Sequence, residues 1–383
     1  MATTLKNICS FQSGGTPSKA NPAYFGGSIP WITTVALNGR SIGTEDAVDW
    51  ITEEAIQKSA AKIVPAGSIM VGTRVGIGKV AVNTVPMSTS QDIISLVGID
   101  SESWDTEFLC KFIQSQSAFL NAQARGATIK GIKIEALADL ELPEATLQQQ
   151  REIILILNAV SNVITARQRQ LRALDTLIKA RFVEMFGDTV LNPFKWDKGL
   201  LGEVCDVRDG THDSPQYFET GFPLVTSKNV TDGKIDLTDC SLICKKDYEK
   251  INERSKVDMG DIIMPMIGTV GKPVIVDVEP LFAIKNVALI KFRADSRVLN
   301  SYVRALLQSD YFDDAVLSKV RGGSQKFISL GDIRKLEVLV PPMERQQQFA
   351  TLVAQVNKSK IVVLQALEKA QLLFDSLMQQ FFG

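Results

Sequence analysis

The sequence predicts a tandem α/β (α+β) protein. Two globular domains are separated by two long helices forming an antiparallel coiled coil, the whole built as a pseudo-twofold internal repeat. Three observations lead there. A proline followed closely by a glutamine triplet is written twice, in ELPEATLQQQREII (141–154) and VLVPPMERQQQFAT (338–351), half a chain apart. Before each triplet run short β-branched stretches broken by Gly, Pro, Asn and Asp, the signature of strands and turns. After each triplet the apolar residues recur in steps of three and four, with no internal proline or glycine.

The duplication extends well beyond the triplets. Leu5-Lys6-Asn7-Ile8-Cys9 answers to Leu201-Gly202-Glu203-Val204-Cys205, and Pro30-Trp31-Ile32-Thr33 to Pro223-Leu224-Val225-Thr226. VPAGSIMV (64–71) matches VDMGDIIM (257–264), and Gly78-Lys79 matches Gly271-Lys272. Arg125-Gly126 recurs as Arg321-Gly322, and Phe186-Gly187 as Phe382-Gly383. The offset is nearly constant, so few insertions separate the halves. Solenoid repeats run to roughly 20–50 residues, far shorter than this period. The expected organisation is therefore a first domain at 1–145, a helix at 146–187, a linker at 188–200, a second domain at 201–343 and a second helix at 344–383.

Within the first domain, IPWITTVAL, GSIMVGTRV, KVAVNTV and DIISLVGI read as strands, and 105–121 and its counterpart 298–317 as helices. The first long helix carries a seam of Ile153, Leu157, Val160, Ile164, Leu171, Leu174, Ile178 and Met185, with Arg167 and Arg181 in polar slots. The second repeats it with Phe349, Val353, Val356, Val363, Leu367, Ala370, Phe374, Leu377 and Phe381, and Lys360 in the polar slot. A 3.5-residue apolar period sustained this long is a coiled-coil seam. Pro143, Pro341 and Pro342 cannot continue a helix backwards, and Glu144 and Glu344 suit a helix N-terminus. Each helix should span about 60 Å at about 1.5 Å per residue. Two such helices in one chain can cover each other's stripe. Antiparallel packing is favoured because parallel packing would crowd both domains at one end.

Composition bounds the function. The chain has 383 residues, ordinary hydrophobic content and a net charge of −1, so a nucleic-acid surface would have to be local. No apolar run reaches the roughly 18 residues of a membrane span, and MATTLKNICSFQSGG lacks the order of a signal peptide. Five cysteines (9, 110, 205, 240 and 244) without a framework pattern point to a reducing cytoplasm, with Cys9 and Cys205 as core residues.

Catalysis finds little foothold. His212 is the one histidine, which excludes a His-based relay in both halves and makes a poor metal site. Cys240-x3-Cys244 has no second ligand pair nearby. GTRVGIGK (72–79) fails the phosphate-loop spacing, with Val80 where Ser or Thr should stand, and runs into a strand, so it reads as a β-hairpin. Asn192-Pro193-Phe194 resembles an amino-methyltransferase motif only faintly, lacking its second proline. No catalytic residue, metal ligand or cofactor is expected.

Polar clusters do recur at matching points of both halves with different residues. Thr33, Thr34, Asn38 and Arg40 face Ser227, Lys228 and Asn229; Arg74 and Lys79 in one hairpin face Lys272 in the other. RGATIKGIK (125–133) faces RGGSQKFIS (321–329), setting Arg125 and Lys130 against Arg321, Ser324, Gln325 and Lys326. These are the residue types that read base edges, and the nearby glycines allow close backbone approach to phosphate. These residues are the expected DNA contacts.

The two variable α/β domains alternating with two similar helical segments, each begun by the P-x4-QQQ-like motif, resemble the specificity subunit of type I restriction–modification enzymes. ELPEATLQQQREI, VLVPPMERQQQF, the helix end LDTLIKARFVEMFGD and the linker NPFKW carry the resemblance, with Gly14-Gly15-Thr16-Pro17-Ser18 and Pro30-Trp31-Ile32 at the domain start. The second half departs from GGTPS with Arg208-Asp209-Gly210-Thr211-His212-Asp213-Ser214. The resemblance implies a non-catalytic reader of double-stranded DNA, each domain recognising half of a split, asymmetric target. It implies helices that set the spacing and dock two methyltransferase subunits, which carry the S-adenosylmethionine, with restriction/translocase subunits able to join. No membrane is involved in this reading. The alternatives are a coiled-coil scaffold whose two domains bind proteins or peptides, and a stand-alone enzyme with an unfamiliar site.

Overall fold

The computed structural model describes residues 3–126, 130–231, 233–267, 270–315 and 327–383. The chain divides into two compact units, Met1–Arg167 with Ala366–Gly383, and Gln168–Gln365. Each unit thus contains strands and short helices together with a stretch of both long helices.

In the first unit a five-stranded sheet has the order Ser10–Ser13, Ile93–Val97, Ile69–Gly72, Val80–Asn83 and Ser41–Ile42. A second sheet orders Asp49–Ile51, Phe25–Ile32, Met87–Thr89 and Ile63–Val64, with Trp31 and Ile32 parallel to Ser88 and Thr89. The second unit repeats this plan. Its four-stranded sheet orders Asp206–Asp209, Val287–Lys291, Ile262–Pro265 and Val274–Ile275, and its three-stranded sheet orders Ser241–Ile243, Phe222–Val225 and Ala283–Ile284. Leu224 and Val225 again run parallel to Ala283 and Ile284. The repeat read from the sequence is thus a repeat of topology. At the end of the first strand both units place a glycine where nothing larger fits. A Cβ on Gly14 would stand 2.2 Å from the Ser90 carbonyl oxygen, and one on Gly210 2.4 Å from that of Ile284.

The two long helices are Leu147–Phe186 and Met343–Phe382, each of 40 residues. The first starts with a reciprocal cap: the Gln149 side chain accepts from the Thr146 N–H, and Thr146 Oγ1 from the Gln149 N–H. In the first unit Ile154 and Leu157, near the start of one helix, share a core with Phe374, Leu377 and Phe382 at the end of the other. In the second unit Ile178, Phe182 and Phe186 share a core with Phe349 and Val353. Within each unit the helices therefore run antiparallel. Leu157, Ile164, Val356 and Val363 are buried; Val160, Leu171, Leu174, Ile178, Leu367, Phe374 and Leu377 are half-buried.

Each domain helix expected as one piece is broken in two. The segments are Thr106–Ser115 and Ser117–Ala122, and, in the second unit, Asn300–Leu306 and Asp310–Ala315. At both breaks a serine hydroxyl donates to the carbonyl three residues back, Ser115 to Phe112 and Ser309 to Leu306. That bond competes with the helical ladder and ends it.

Candidate nucleic-acid interface

The predicted contacts of the first unit lie in three segments. Thr34 is buried and Thr33 half-buried in a turn; Asn38, Arg40, Arg74, Lys79, Arg125 and Lys130 are exposed. The GTRVGIGK stretch is a hairpin between Ile69–Gly72 and Val80–Asn83, tightened by left-handed Gly76 and Gly78. The Arg125 segment docks onto it. Arg125 and Gly131 exchange backbone hydrogen bonds of 2.9 and 3.0 Å, and the Ile132 N–H donates to the Thr73 carbonyl at 2.9 Å. Gly131 lies directly against the Arg74 side chain. The fold thus brings Arg74, Arg125 and Lys130, distant in sequence, to one exposed edge.

Asn38 and Arg40 sit in a separate turn that is tied down. Asn38 Oδ1 accepts from the Arg40 N–H, and the Arg40 guanidinium donates to Thr165 Oγ1 of the first long helix at 2.6 Å. Beneath them Lys111 Nζ donates to the Gly39 carbonyl at 2.9 Å and lies 5.7 Å from the centre of the Phe374 ring. Burial holds the Lys111 ammonium below the ordinary lysine range. Lys111 went unnoticed in the sequence because it sits on an otherwise apolar helix face, Phe108–Ile113.

The second unit repeats the docking. The Ile328 N–H donates to the Met266 carbonyl at 2.9 Å, and Ile267 pairs with Phe327, as Ile132 does on Thr73. Lys272 is exposed just after left-handed Gly271. Lys228 is exposed and Ser227 half-buried on a short turn, whereas Asn229 is buried. Its Oδ1 accepts from the N–H and hydroxyl of Thr226, and its Nδ2 donates to the Asp239 carbonyl, so its amide is occupied inside the domain. Arg321, Ser324, Gln325 and Lys326 lie outside the described residues.

The fold also assembles a polar cluster that sequence reading passed over. Asp209 and His212, Arg254, and Asn286 come together from three separate segments. Only the Asp209-x2-His212 spacing hinted at it. Among the described residues, no group of three or more His, Cys, Asp and Glu could hold a metal ion. Burial pushes the Cys9 and Cys240 thiols up to about 11 and those of Cys110 and Cys205 to about 12, which leaves them protonated and inert. Among the described residues, no helix is long and apolar enough to cross a membrane.

Comparison with known proteins agrees with this layout. The family described as Type I restriction modification DNA specificity domain matches residues 1–174 and 193–371. The MjaIX type I restriction enzyme specificity subunit of Methanocaldococcus jannaschii is 26% identical over 96% of this chain and 90% of its own length. The EcoR124I/EcoR124II specificity subunit of Escherichia coli is 31% identical over 42% of each chain. Among solved structures, the type I S subunit from M. genitalium superposes with a TM-score of 0.57 at 16% identity, covering 100% of this chain and 96% of the other. A chain from a structural study of type I R-M complex assembly gives 0.59 at 18%, covering 100% and 97%. Both show the same fold. The match over nearly the whole length, in two consecutive copies, places the chain in the type I restriction–modification DNA specificity family.

Proposed function

We propose that this chain is the non-catalytic DNA-recognition subunit of a type I restriction–modification complex. The domain at 1–145 reads one half of a bipartite, asymmetric target and the domain at 201–343 the other. One observation carries this reading: the two units share a scaffold but differ in chemistry at equivalent strand positions. The strand Ser10–Ser13 pairs with Ile94–Val97 as Asp206–Asp209 pairs with Ala288–Lys291, yet one strand reads Ser-Phe-Gln-Ser and the other Asp-Val-Arg-Asp. One frame presenting two side-chain sets suits two readers of different sequence. Arg74, Lys79, Arg125 and Lys130 contact DNA in the first half, and Lys228, Lys272, Arg321, Ser324, Gln325 and Lys326 in the second.

The long helices set the spacing between the half-sites and dock two methyltransferase subunits, which hold S-adenosylmethionine; restriction/translocase subunits join that core. Supporting the docking role, Leu155, Val163, Leu177, Val362 and Leu372 leave apolar side chains exposed outside the seam. The test is methylation of DNA by the methyltransferase subunits with and without this chain. Activity is expected only with both present, and exchanging residues 1–145 for the same domain of a relative should change one half of the methylated site alone. Turnover by the isolated chain, or a change in both halves, refutes the reading. A scaffold that binds peptides would leave methylation unaffected.

A further inference from the structure

At the end of the strand Asp206–Asp209, side chains from three segments converge. Buried Asp209 receives Arg254, from the helix Lys245–Ser255, on Oδ1, and faces Nε2 of exposed His212 at 2.9 Å with Oδ2. His212 Nδ1 lies 2.9 Å from Asn286 Oδ1. Asn286 has a φ of 55°, the left-handed region that few residues besides glycine adopt readily, so the turn between Ala283–Ile284 and Val287–Lys291 fixes where its amide points. His212 and Asn286 line one open cavity of about 290 Å³, whose other walls include Met266, Ile267, Phe327 and Ile328. Among the described residues, the Asn286 amide nitrogen has no protein partner.

We propose that His212 and Asn286 form a proton-gated pair that reads one base edge of duplex DNA in the half-target recognised by the second unit. The proposal rests on the DNA-recognition reading above. The Asp209 carboxylate only accepts, so His212 keeps a hydrogen on Nε2, and Nδ1 is the nitrogen that gains or loses the second proton. When Nδ1 is protonated it donates to Asn286 Oδ1, and the amide turns its NH₂ towards the cavity. When Nδ1 is bare it accepts, the amide rotates to supply the hydrogen, and Oδ1 faces outward. One proton therefore converts the outward group from donor to acceptor. In the major groove guanine offers acceptors at N7 and O6, whereas cytosine N4 and adenine N6 donate, so the preferred base changes with it.

The surroundings favour the protonated form. Hydrogen bonding to Asn286, then to Asp209, raises the His212 pKa above the ordinary imidazole value, and Arg254 opposes this. Among the described residues, the other charged neighbours are Asp213, adjacent in the chain, and Lys285, whose ammonium donates to Ser214 Oγ at 2.7 Å. Phe327–Leu330, closing the far wall, carries no charge. The equivalent strand register in the first unit puts Ser13 where Asp209 stands, so the gate belongs to one half only.

The test uses the intact chain with its methyltransferase subunits and a random-sequence duplex pool, selected at about pH 6 and about pH 8.5, either side of the ordinary histidine value. One position of one half-motif should move from guanine at low pH towards cytosine or adenine at high pH, with enrichment ratios changing roughly tenfold. Asn286→Asp, which tolerates the same backbone conformation and presents only acceptors, should give the high-pH motif at both values. His212→Gln should abolish the pH dependence. An identical wild-type motif at both pH values overturns the proposal. So does an Asn286→Asp variant that loses affinity for all sequences alike, which is the behaviour of a phosphate contact. If the wild-type complex enriches no motif at all, the DNA-recognition reading itself falls, and this proposal with it.

Discussion

The side-chain oxygen of Gln150 accepts a hydrogen bond from the Asp105 N–H at 2.8 Å, and so fastens the first long helix to the N-cap of the domain helix Thr106–Ser115. Its Nε2 donates to the Ser103 and Ala145 carbonyls. Gln346 does the same in the second unit: Oε1 accepts from the Leu299 N–H at 2.8 Å, at the N-cap of Asn300–Leu306, and Nε2 donates to the Arg297 and Pro341 carbonyls. Both glutamines are 0% exposed. The repeated triplet is thus one buried clamp with its neighbours turned outward.

Gln150→Leu or Gln346→Leu should each destabilise its unit by about 2–4 kcal/mol, because three backbone groups lose their partner in a buried setting. Exposed Gln148→Ala or Gln347→Ala should stay within about 0.5 kcal/mol. Denaturant unfolding of the four variants decides; equal effects would mean that the clamp does not hold.

Phe186 packs at 4.8 Å from the Tyr302 ring and 5.4 Å from that of Phe349. Phe186→Ala should cost about 3–5 kcal/mol by opening a cavity between the helix end and the domain. The thermal midpoint of the variant measures this, and a loss below about 1 kcal/mol would show that the helix end is not part of the core.

Two predicted contact residues should separate by phenotype. Arg74→Ala should weaken DNA binding by about 1–3 kcal/mol with unchanged stability. Asn229→Ala opens the Thr226–Asn229 turn and should lower stability by about 1–2 kcal/mol. Paired binding and unfolding measurements check both, and a normal Arg74→Ala affinity removes that residue from the interface.

His212 also predicts a pH profile for stability. Its folded pKa is raised, so the added stability is fully present below the unfolded value of about 6.5 and is lost as pH rises through the folded value. The denaturant midpoint should fall more between about pH 6 and pH 9 in the wild type than in His212→Gln. Equal slopes would mean that the hydrogen bonds to Asn286 and Asp209 do not persist in solution.

The proposed spacing role of the helices has a direct test. A single residue inserted near Ile164 rotates the remainder of the helix by roughly 100° and should abolish DNA binding by breaking the seam. A heptad inserted into both helices keeps the seam in register and adds about 10 Å, or some three base pairs. The methylated half-sites should then stay the same while the gap between them lengthens. An unchanged gap would show that the helices do not set it.

Periodicity determined much of this protein. The half-chain repeat, the switch from β-branched runs to a 3.5-residue period and the prolines before each helix are local features, legible in the residues from Ile153 to Met185 and from Phe349 to Phe381. The GTRVGIGK hairpin was legible too, because its flanks alternate like strands. Tertiary structure decided what the polar residues do, since hydrogen-bonding capacity is written in the sequence and its partners are not. Gln150 looks no different from Gln148 until the fold buries it against Asp105. Arg40 and Asn229 read like base contacts, but the chain has turned one onto Thr165 and closed the other around Thr226. Arg254 and Asn286 reach Asp209 and His212 only because the fold brings their segments together; their separation along the chain leaves no spacing to read.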